Sequence, residues 1–272
     1  MLPLLTLLPF TFLLLLIAPS LVLFSNNSST NHNTKISFNS KMIKEIPSND
    51  TCVDNLSPAE DCFQHFKLAI IWSPGYAYKQ KVENNAQIKK INTKPEWIIH
   101  GFWPSMNNRT DVPEKCGTTD NKFDANGLKT NGLMDELEEC WYSILENKTN
   151  IQSWEDEFEN HGSCATRADP IRDDVDYFRK TIELFYNVNL GGKLTSGEFK
   201  PGDVRKLKDV KNIINKQIGA EVEVNTFKYK NRLILTEVYV CYNLALDMIN
   251  CPNTNSPQDD LENYVIYSAD FQ

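Results

Sequence analysis

The chain reads as an α+β domain, a central and mostly antiparallel sheet flanked by helices and stapled by disulfides. Three observations predict it. Short apolar runs and amphipathic stretches interleave irregularly, unlike the regular strand-helix alternation of a parallel sheet. Seven cysteines (Cys52, Cys62, Cys116, Cys140, Cys164, Cys241 and Cys251) occur without a CxxC pair, which suits about three bridges in an oxidising compartment rather than structural zinc. Setting aside the N-terminal segments leaves roughly 220 residues, enough for a single well-buried domain.

No charged side chain precedes Lys35, and Leu2 to Phe24 is almost unbroken apolar sequence, so residues 1–25 are expected to be a signal peptide or a signal anchor. Pro3, Pro9 and Pro19 favour a leader cleaved near Ser20 or Ser25 over an uninterrupted membrane helix; membrane attachment enters only with the uncleaved form. Residues 26–50 are polar and aperiodic, as in a disordered spacer, and the domain proper is placed at 51–272. Sequons at Asn26, Asn27, Asn49, Asn108 and Asn147 fit a secreted or lumenal, N-glycosylated product, with a lysosome-like compartment as the alternative.

Within the domain, Phe66 to Trp72 is a short apolar run closed by Ser73-Pro74-Gly75, which reads as a buried strand ending in a turn. Glu96 to Phe102 reads as a second strand with His100 near its end. Helical spacing covers Gly132 to Leu145, Ser153 to His161 (with Gly162 as its stop), Asp173 to Tyr186 and Gly202 to Ile218. The lysines of the last stretch read first as a solvated face and second as an RNA contact. Arg232 to Tyr242 alternates as a strand, with Leu233, Leu235, Glu237, Tyr239 and Cys241 in one register.

Two segments hold imidazoles that are each followed by glycine: Trp97-Ile-Ile-His100-Gly-Phe-Trp103-Pro104 and Trp154-Glu-Asp156-Glu157-Phe-Glu-Asn160-His161-Gly-Ser-Cys164. A histidine pair with a carboxylate and flat aromatic surfaces suits proton transfer at a phosphodiester, one imidazole taking a proton and the other giving one, each worth roughly 10²- to 10⁴-fold. Neither metal nor cofactor is expected. Of the other histidines, His65 reads as structural and His32 carries no role. A small-molecule hydrolase fits less well, since neither a Gly-x-Ser-x-Gly elbow nor an HExxH helix is present.

These segments resemble the ribonuclease T2 family. The first family motif, approximately Trp-x-Ile-His-Gly-Leu-Trp-Pro, is matched from Trp97 through Pro104 with Phe102 in the leucine place. The second, approximately Trp-x-His-Glu-Trp-x-Lys-His-Gly-Thr-Cys, is matched at Trp154, Glu157, His161, Gly162 and Cys164. The resemblance implies a monomeric endoribonuclease on single-stranded RNA, forming a 2′,3′-cyclic phosphate without a metal. His100 would be the general acid, His161 the base on the 2′-hydroxyl, Glu157 the supporting carboxylate and Trp103 part of the base pocket. It also implies bridges Cys116–Cys164 and Cys241–Cys251. Cys52–Cys62 is then the expected third pair, and Cys140 is left over, with pairing across two chains open.

Asp156 and Asn160 depart from the pattern, standing where the family has a histidine and a lysine that face the phosphate; both remain candidate substrate-binding positions. Losing one cationic donor costs about 10²- to 10³-fold, and an ionised carboxylate beside phosphate adds a repulsion of roughly 4 kcal/mol. The expectation is therefore a slow ribonuclease working in an unusually acidic range, or an impaired member that binds RNA, glycan or protein. Ser105 replaces an acidic residue common in the family, which leaves base preference open. The net charge of −8 argues against a general nucleic-acid binder, although it is halved once the four histidines are charged, and a local cationic cleft is compatible with it.

Overall fold

One central, largely buried strand organises the molecule. The computed structural model describes residues 63–90, 95–107, 113–117, 121–195, 198–252 and 261–270. The leader, the spacer, the Cys52–Cys62 pair and four of the sequons lie outside the described residues, whereas Asn147 sits in an exposed turn. Strand β1 (His65–Trp72) is buried but for the part-exposed Lys67, and it is paired on both edges, by β2 (Trp97–Ser105) and by a long strand at Arg232–Tyr242.

Between β1 and β2 the expected turn at Ser73-Pro74-Gly75 is instead the start of helix α1 (Ser73–Asn84). Proline is compatible with a first helical turn, where its missing N–H costs nothing, so the local signal fitted both outcomes. Gly75 decides the packing, because a Cβ there would collide with the Leu235 carbonyl. Strand β2 also runs past His100 to Ser105, and Pro104 is tolerated because β2 lies at the edge of the sheet.

Short helices α2 (Ala125–Thr130), capped by Asp124, and α3 (Met134–Cys140) follow. The helix expected to Leu145 stops at Cys140, because Trp141 is tied into tertiary hydrogen bonds. Its indole donates to the His100 carbonyl at 2.9 Å, and its own carbonyl accepts from the Trp154 indole at 2.6 Å. Helix α4 (Asn150–Glu157) starts at a complete capping box between Thr149 and Gln152. It does not end at Gly162. A π turn at Phe158–Gly162 leads directly into α5 (Ser163–Ala165).

Helix α6 (Asp174–Val188), capped by Asp173, buries Tyr177, Phe178, Thr181 and Ile182. It is followed by α7 (Leu190–Thr195). The expected helix from Gly202 divides into strand β3 (Val204–Lys206) and helix α8 (Leu207–Ile218). Helix α8 turns Leu207, Val210, Ile214 and Ile218 inward, while Lys206 and Lys208 both pair with Glu262, in keeping with a solvated basic face. Strand β4 (Glu223–Tyr229), which has no strong apolar alternation, forms a hairpin with β5 (Arg232–Tyr242); β6 (Met248–Ile249) and β7 (Tyr264–Ile266) complete the sheet.

All strand pairs among the described residues are antiparallel except β5 with β7. One face of the sheet carries Phe66, Leu68, Phe102, Val238 and Val240 into the main core, where Trp154, Phe158, Tyr177 and Phe178 cover them. The opposite face carries Lys67, Trp103, Glu237 and Tyr239. Among the described residues the disulfides are Cys116–Cys164 and Cys241–Cys251, as the resemblance implies, and Cys140 is buried and free. No helix among the described residues is long and apolar enough to cross a membrane.

His65 is 1 % exposed, and its ring nitrogens close no well-formed hydrogen bond, so burial depresses its pKa to about 4. The unfolded chain therefore binds a proton that the folded chain refuses. Stability is full above about pH 6.5 and falls toward pH 4. His65→Leu should remove up to about 3 kcal/mol of that loss, read from urea midpoints at pH 6.5 and 4; an unaltered pH slope would contradict the assignment.

Candidate active site

His100 is displayed by a break in strand pairing. Ala69 faces Gly101 and Ile70 faces Ile99, so β2 has one residue more than β1 at this point, and that residue is His100. A bulge re-aims a side chain and leaves its backbone unpaired, and the His100 carbonyl is taken up by the Trp141 indole instead. The imidazole projects from within the strand rather than from its end. Its Nδ1 donates to Glu237 Oε1 at 2.7 Å, while Nε2 lies 3.8 Å from Glu157 Oε1 and 3.5 Å from the Tyr76 hydroxyl.

Glu237 comes from the middle of β5 and is 4 % exposed. Burial works against its charge, but the hydrogen bond and charge of His100 prevail, aided by the Tyr239 hydroxyl at 3.0 Å, and the carboxyl stays below its usual range. An ionised carboxylate only accepts, so Nδ1 must carry a proton and Nε2 presents the exchangeable one to the site. Burial likewise opposes charge on His100, but Glu237 and then Glu157 outweigh it and raise the imidazole pKa above its ordinary value.

Trp103, two residues beyond Gly101, joins the two segments. Its indole N–H donates to Glu157 Oε2 at 3.1 Å, and its ring centroid lies 5.1 Å from His100 and 5.5 Å from His161. Tyr239 meets it edge-on at 5.3 Å. A Cβ on Gly101 would strike both the indole nitrogen and the Glu157 carboxylate, so this glycine provides clearance for Trp103 and Glu157 rather than a sharp turn. Gly162 plays the same part on the other segment: its φ is −60°, and a side chain would run into Phe158 and Tyr177.

Glu157 ends α4 and His161 lies four residues on, inside the π turn, where the Ser163 N–H reaches back five residues to the Phe158 carbonyl. Such turns are rare and cluster at functional sites. Burial lowers the His161 pKa to about 4, against the pull of Glu114 and with the help of the His100 charge, and its Nδ1 has no hydrogen-bond partner among the described residues. Burial also raises the Glu157 pKa, although His100 and the Trp103 N–H oppose it.

Asp156 points away from this cluster, more than half exposed, and pairs with Lys148 at 2.6 Å. Lys148 is near enough for its charge to act on Glu157 as well. Asn160 is half-buried on the π turn, its carbonyl accepting from the Lys115 N–H at 2.9 Å. His100, Glu157, His161 and Trp103 are thus brought together, with Asp156 at the rim. Sequence reasoning missed Glu237, Tyr239 and Tyr76. For Glu237 a signal existed, namely a carboxylate in a largely apolar strand; the single register expected for β5 breaks at Thr236, so Glu237, Tyr239 and Cys241 lie on the opposite face from Leu233 and Leu235.

The profile of the Ribonuclease T2 family matches residues 63–251. Ribonuclease 3 of Arabidopsis thaliana is 32% identical over 195 residues, covering 70% of this chain and 83% of that protein. A ribonuclease-like storage protein of Panax ginseng is 28% identical over 198 residues, 71% of this chain and 77% of that protein. The chain spans 56% of the Ribonuclease T2 protein rnst-2 of Caenorhabditis elegans, at 27% identity over 160 residues. Human RNase T2 superposes with a TM-score of 0.61 at 20% identity, covering 76% of this chain and all of that one. RNase NT, solved with 5′-AMP, gives 0.63 at 19%, covering 76% and 98%. With a family profile matched over most of its length, the chain belongs to the Ribonuclease T2 family.

Proposed function

We propose that this chain is an endoribonuclease that cleaves single-stranded RNA by acid/base transesterification through a 2′,3′-cyclic phosphate. The observation that carries this reading is the opposite displacement of two imidazoles around one tryptophan. His161 is held neutral down to about pH 4, and His100 is held charged above its ordinary range. Environments that push a pair of pKa values apart distinguish base from acid.

His161 takes the proton of the ribose 2′-hydroxyl, whose oxygen attacks phosphorus. The bond to the 5′ oxygen breaks, and that oxygen leaves with the proton of His100 Nε2. Water then reverses the roles and opens the cyclic phosphate. Because the nucleophile is the 2′-hydroxyl, RNA is cut and DNA is not. Burial raises the Glu157 pKa, so on acidification this carboxyl takes up a proton sooner than a free glutamate would and can then donate to a phosphate oxygen. Neither step calls for a metal ion. The 5′-AMP bound by RNase NT, on a similar fold, is in keeping with a nucleotide substrate.

Asp156 and Asn160 still withhold two cations from the phosphate, and a reduced rate follows. The Lys148 partnership offsets the carboxylate charge that would oppose an incoming phosphate. The disulfides and the acid-tuned pair suit an acidic lumenal or extracellular compartment. A second reading, an impaired member kept for binding, is favoured by the same two substitutions and becomes the conclusion if the purified protein cuts no RNA.

On a homopolymer RNA with EDTA present, kcat/KM should show an acid limb near pH 4 and an alkaline limb above 6.5; an acid limb above pH 6 would remove His161 as base. His100→Ala and His161→Ala should each lower turnover by at least about 10²-fold, and cyclic-phosphate termini should disappear with them. Glu237→Gln keeps an acceptor for Nδ1 but removes its charge, so the alkaline limb should move down by about one pH unit while KM changes little. A Glu237 that served packing alone would leave the limb in place. Lys148→Ala should slow cleavage severalfold, and Asp156→Ala added to it should restore the rate, while Asn160→Lys with Asp156→His should exceed wild type.

A further inference from the structure

The sheet face that carries Glu237 and Tyr239 continues beyond the site toward the β4–β5 hairpin. In the register of that hairpin Asn225 lies opposite Glu237, Phe227 opposite Ile234 and Tyr229 opposite Arg232. Alternation along β4 puts Asn225, Phe227 and Tyr229 on the same side as Glu237. Helix α1 covers part of this row. Tyr78 sits 5.6 Å from the Tyr229 ring and 6.2 Å from Phe227, while Phe227 and Tyr229 stack at 22° to each other. Tyr78 and Tyr229 are only half-buried, so part of each ring faces solvent.

Charge is concentrated here against the trend of the chain. Residues 76–82 include Lys79 and Lys81, and the hairpin contributes Lys230 and Arg232, whereas Lys228 alternates to the other face; neither 76–82 nor 225–235 contains an acidic residue, in a protein of net charge −8. Lys230, at the hairpin tip, lies 5.2 Å from the Tyr229 ring. At the other end, Lys79 is close enough to act on both His100 and Glu237, and Tyr76 on the same helix touches His100. Cations interleaved with partly open aromatic rings, in a row that starts at the acid imidazole, are what an unpaired polynucleotide engages: phosphates take the cations and bases take the ring faces.

We infer that the surface formed by α1 and the β4–β5 hairpin, from Lys79 through Tyr78 and Tyr229 to Lys230 and Arg232, holds the single-stranded RNA on the 3′ side of the cut. The side follows from the proposed function, on which this inference rests: His100 protonates the departing 5′ oxygen, so the nucleotide bearing that oxygen lies next to His100 and its 3′ continuation runs onto the hairpin. The surface then acts as an affinity extension that compensates, on long substrates, for the cations missing at Asp156 and Asn160.

The test uses the full chain and oligonucleotides with one ribonucleotide in a deoxy background, which permits a single cut. One is a dinucleotide, one carries an eight-nucleotide tail on the 3′ side of the cut, and one carries the same tail on the 5′ side. Lys230→Asp with Arg232→Glu reverses two exposed charges remote from the imidazoles, and aspartate tolerates the left-handed backbone at 230, where φ is 54°. An unchanged melting temperature verifies the fold. The double variant should lower kcat/KM about 10-fold on the 3′-tailed substrate and less than about twofold on the other two. It should also flatten the plot of log kcat/KM against log salt by about 1.4 for two lost phosphate contacts. Equal effects on all three substrates, no effect, or an effect confined to the 5′ tail would overturn the inference. If the wild-type chain cuts none of them, the proposed function fails separately. Fluorescence anisotropy of the labelled 3′-tailed strand then decides the surface alone: about 10-fold weaker binding by the variant upholds it, and equal binding refutes it.

Discussion

The indole N–H of Trp103, donating to Glu157 across the bare Cα of Gly101, is the contact on which the arrangement of the site depends. It joins a strand to a helix end 54 residues away in sequence. Each partner also fixes something else. Trp103 packs against both imidazoles, and Glu157 marks where α4 gives way to the π turn that carries His161. The Cys116–Cys164 bridge closes three residues beyond His161 and holds that turn from outside. Removing any one of these would loosen the same junction.

The second constraint is electrostatic. Two buried carboxylates and one imidazole, placed so that Glu237 and Glu157 flank His100, form a cluster whose cost of burial is offset only if the imidazole is charged. The same low-polarity surroundings, without a carboxylate partner at Nδ1, keep His161 neutral. Two identical side chains thus acquire opposite proton affinities. That difference comes from their neighbours in space, since both side chains are identical and both precede glycine.

Charge balance around the cluster is set by long side chains from elsewhere. Lys148, in the turn before α4, offsets Asp156, and Lys79 on α1 reaches toward the His100–Glu237 pair. The family histidine and lysine would place cations at the phosphate directly. Here cations stand further out, at the rim and along the hairpin; if the proposed function holds, they shift the burden of holding an anionic substrate toward the flanking chain.

Several features were legible in the amino-acid order because they are local or carried by short motifs. The strands around Phe66 and Arg232, the amphipathic helix from Asp173, the residues His100, Glu157, His161 and Trp103, and the two bridges belong to this group. Other features were decided only in three dimensions. Helix α1 was hidden because Ser-Pro-Gly suits a turn as well as a first helical turn, and contact with Leu235 chose between them. Strand β4 lacked alternation of its own and exists because β5 offered an open edge. The bulge at His100 arises from a mismatch between two strands, which neither encodes alone. Glu237 stood in plain view as a carboxylate in an apolar strand, but its partner is 137 residues away. Sequence by itself determined the histidines and Glu157 as groups that could move protons and β1, β2 and β5 as strands of the sheet. Tertiary structure alone decided the opposite shifts of the two imidazoles, because proton affinity depends on burial and on charges brought near by the fold.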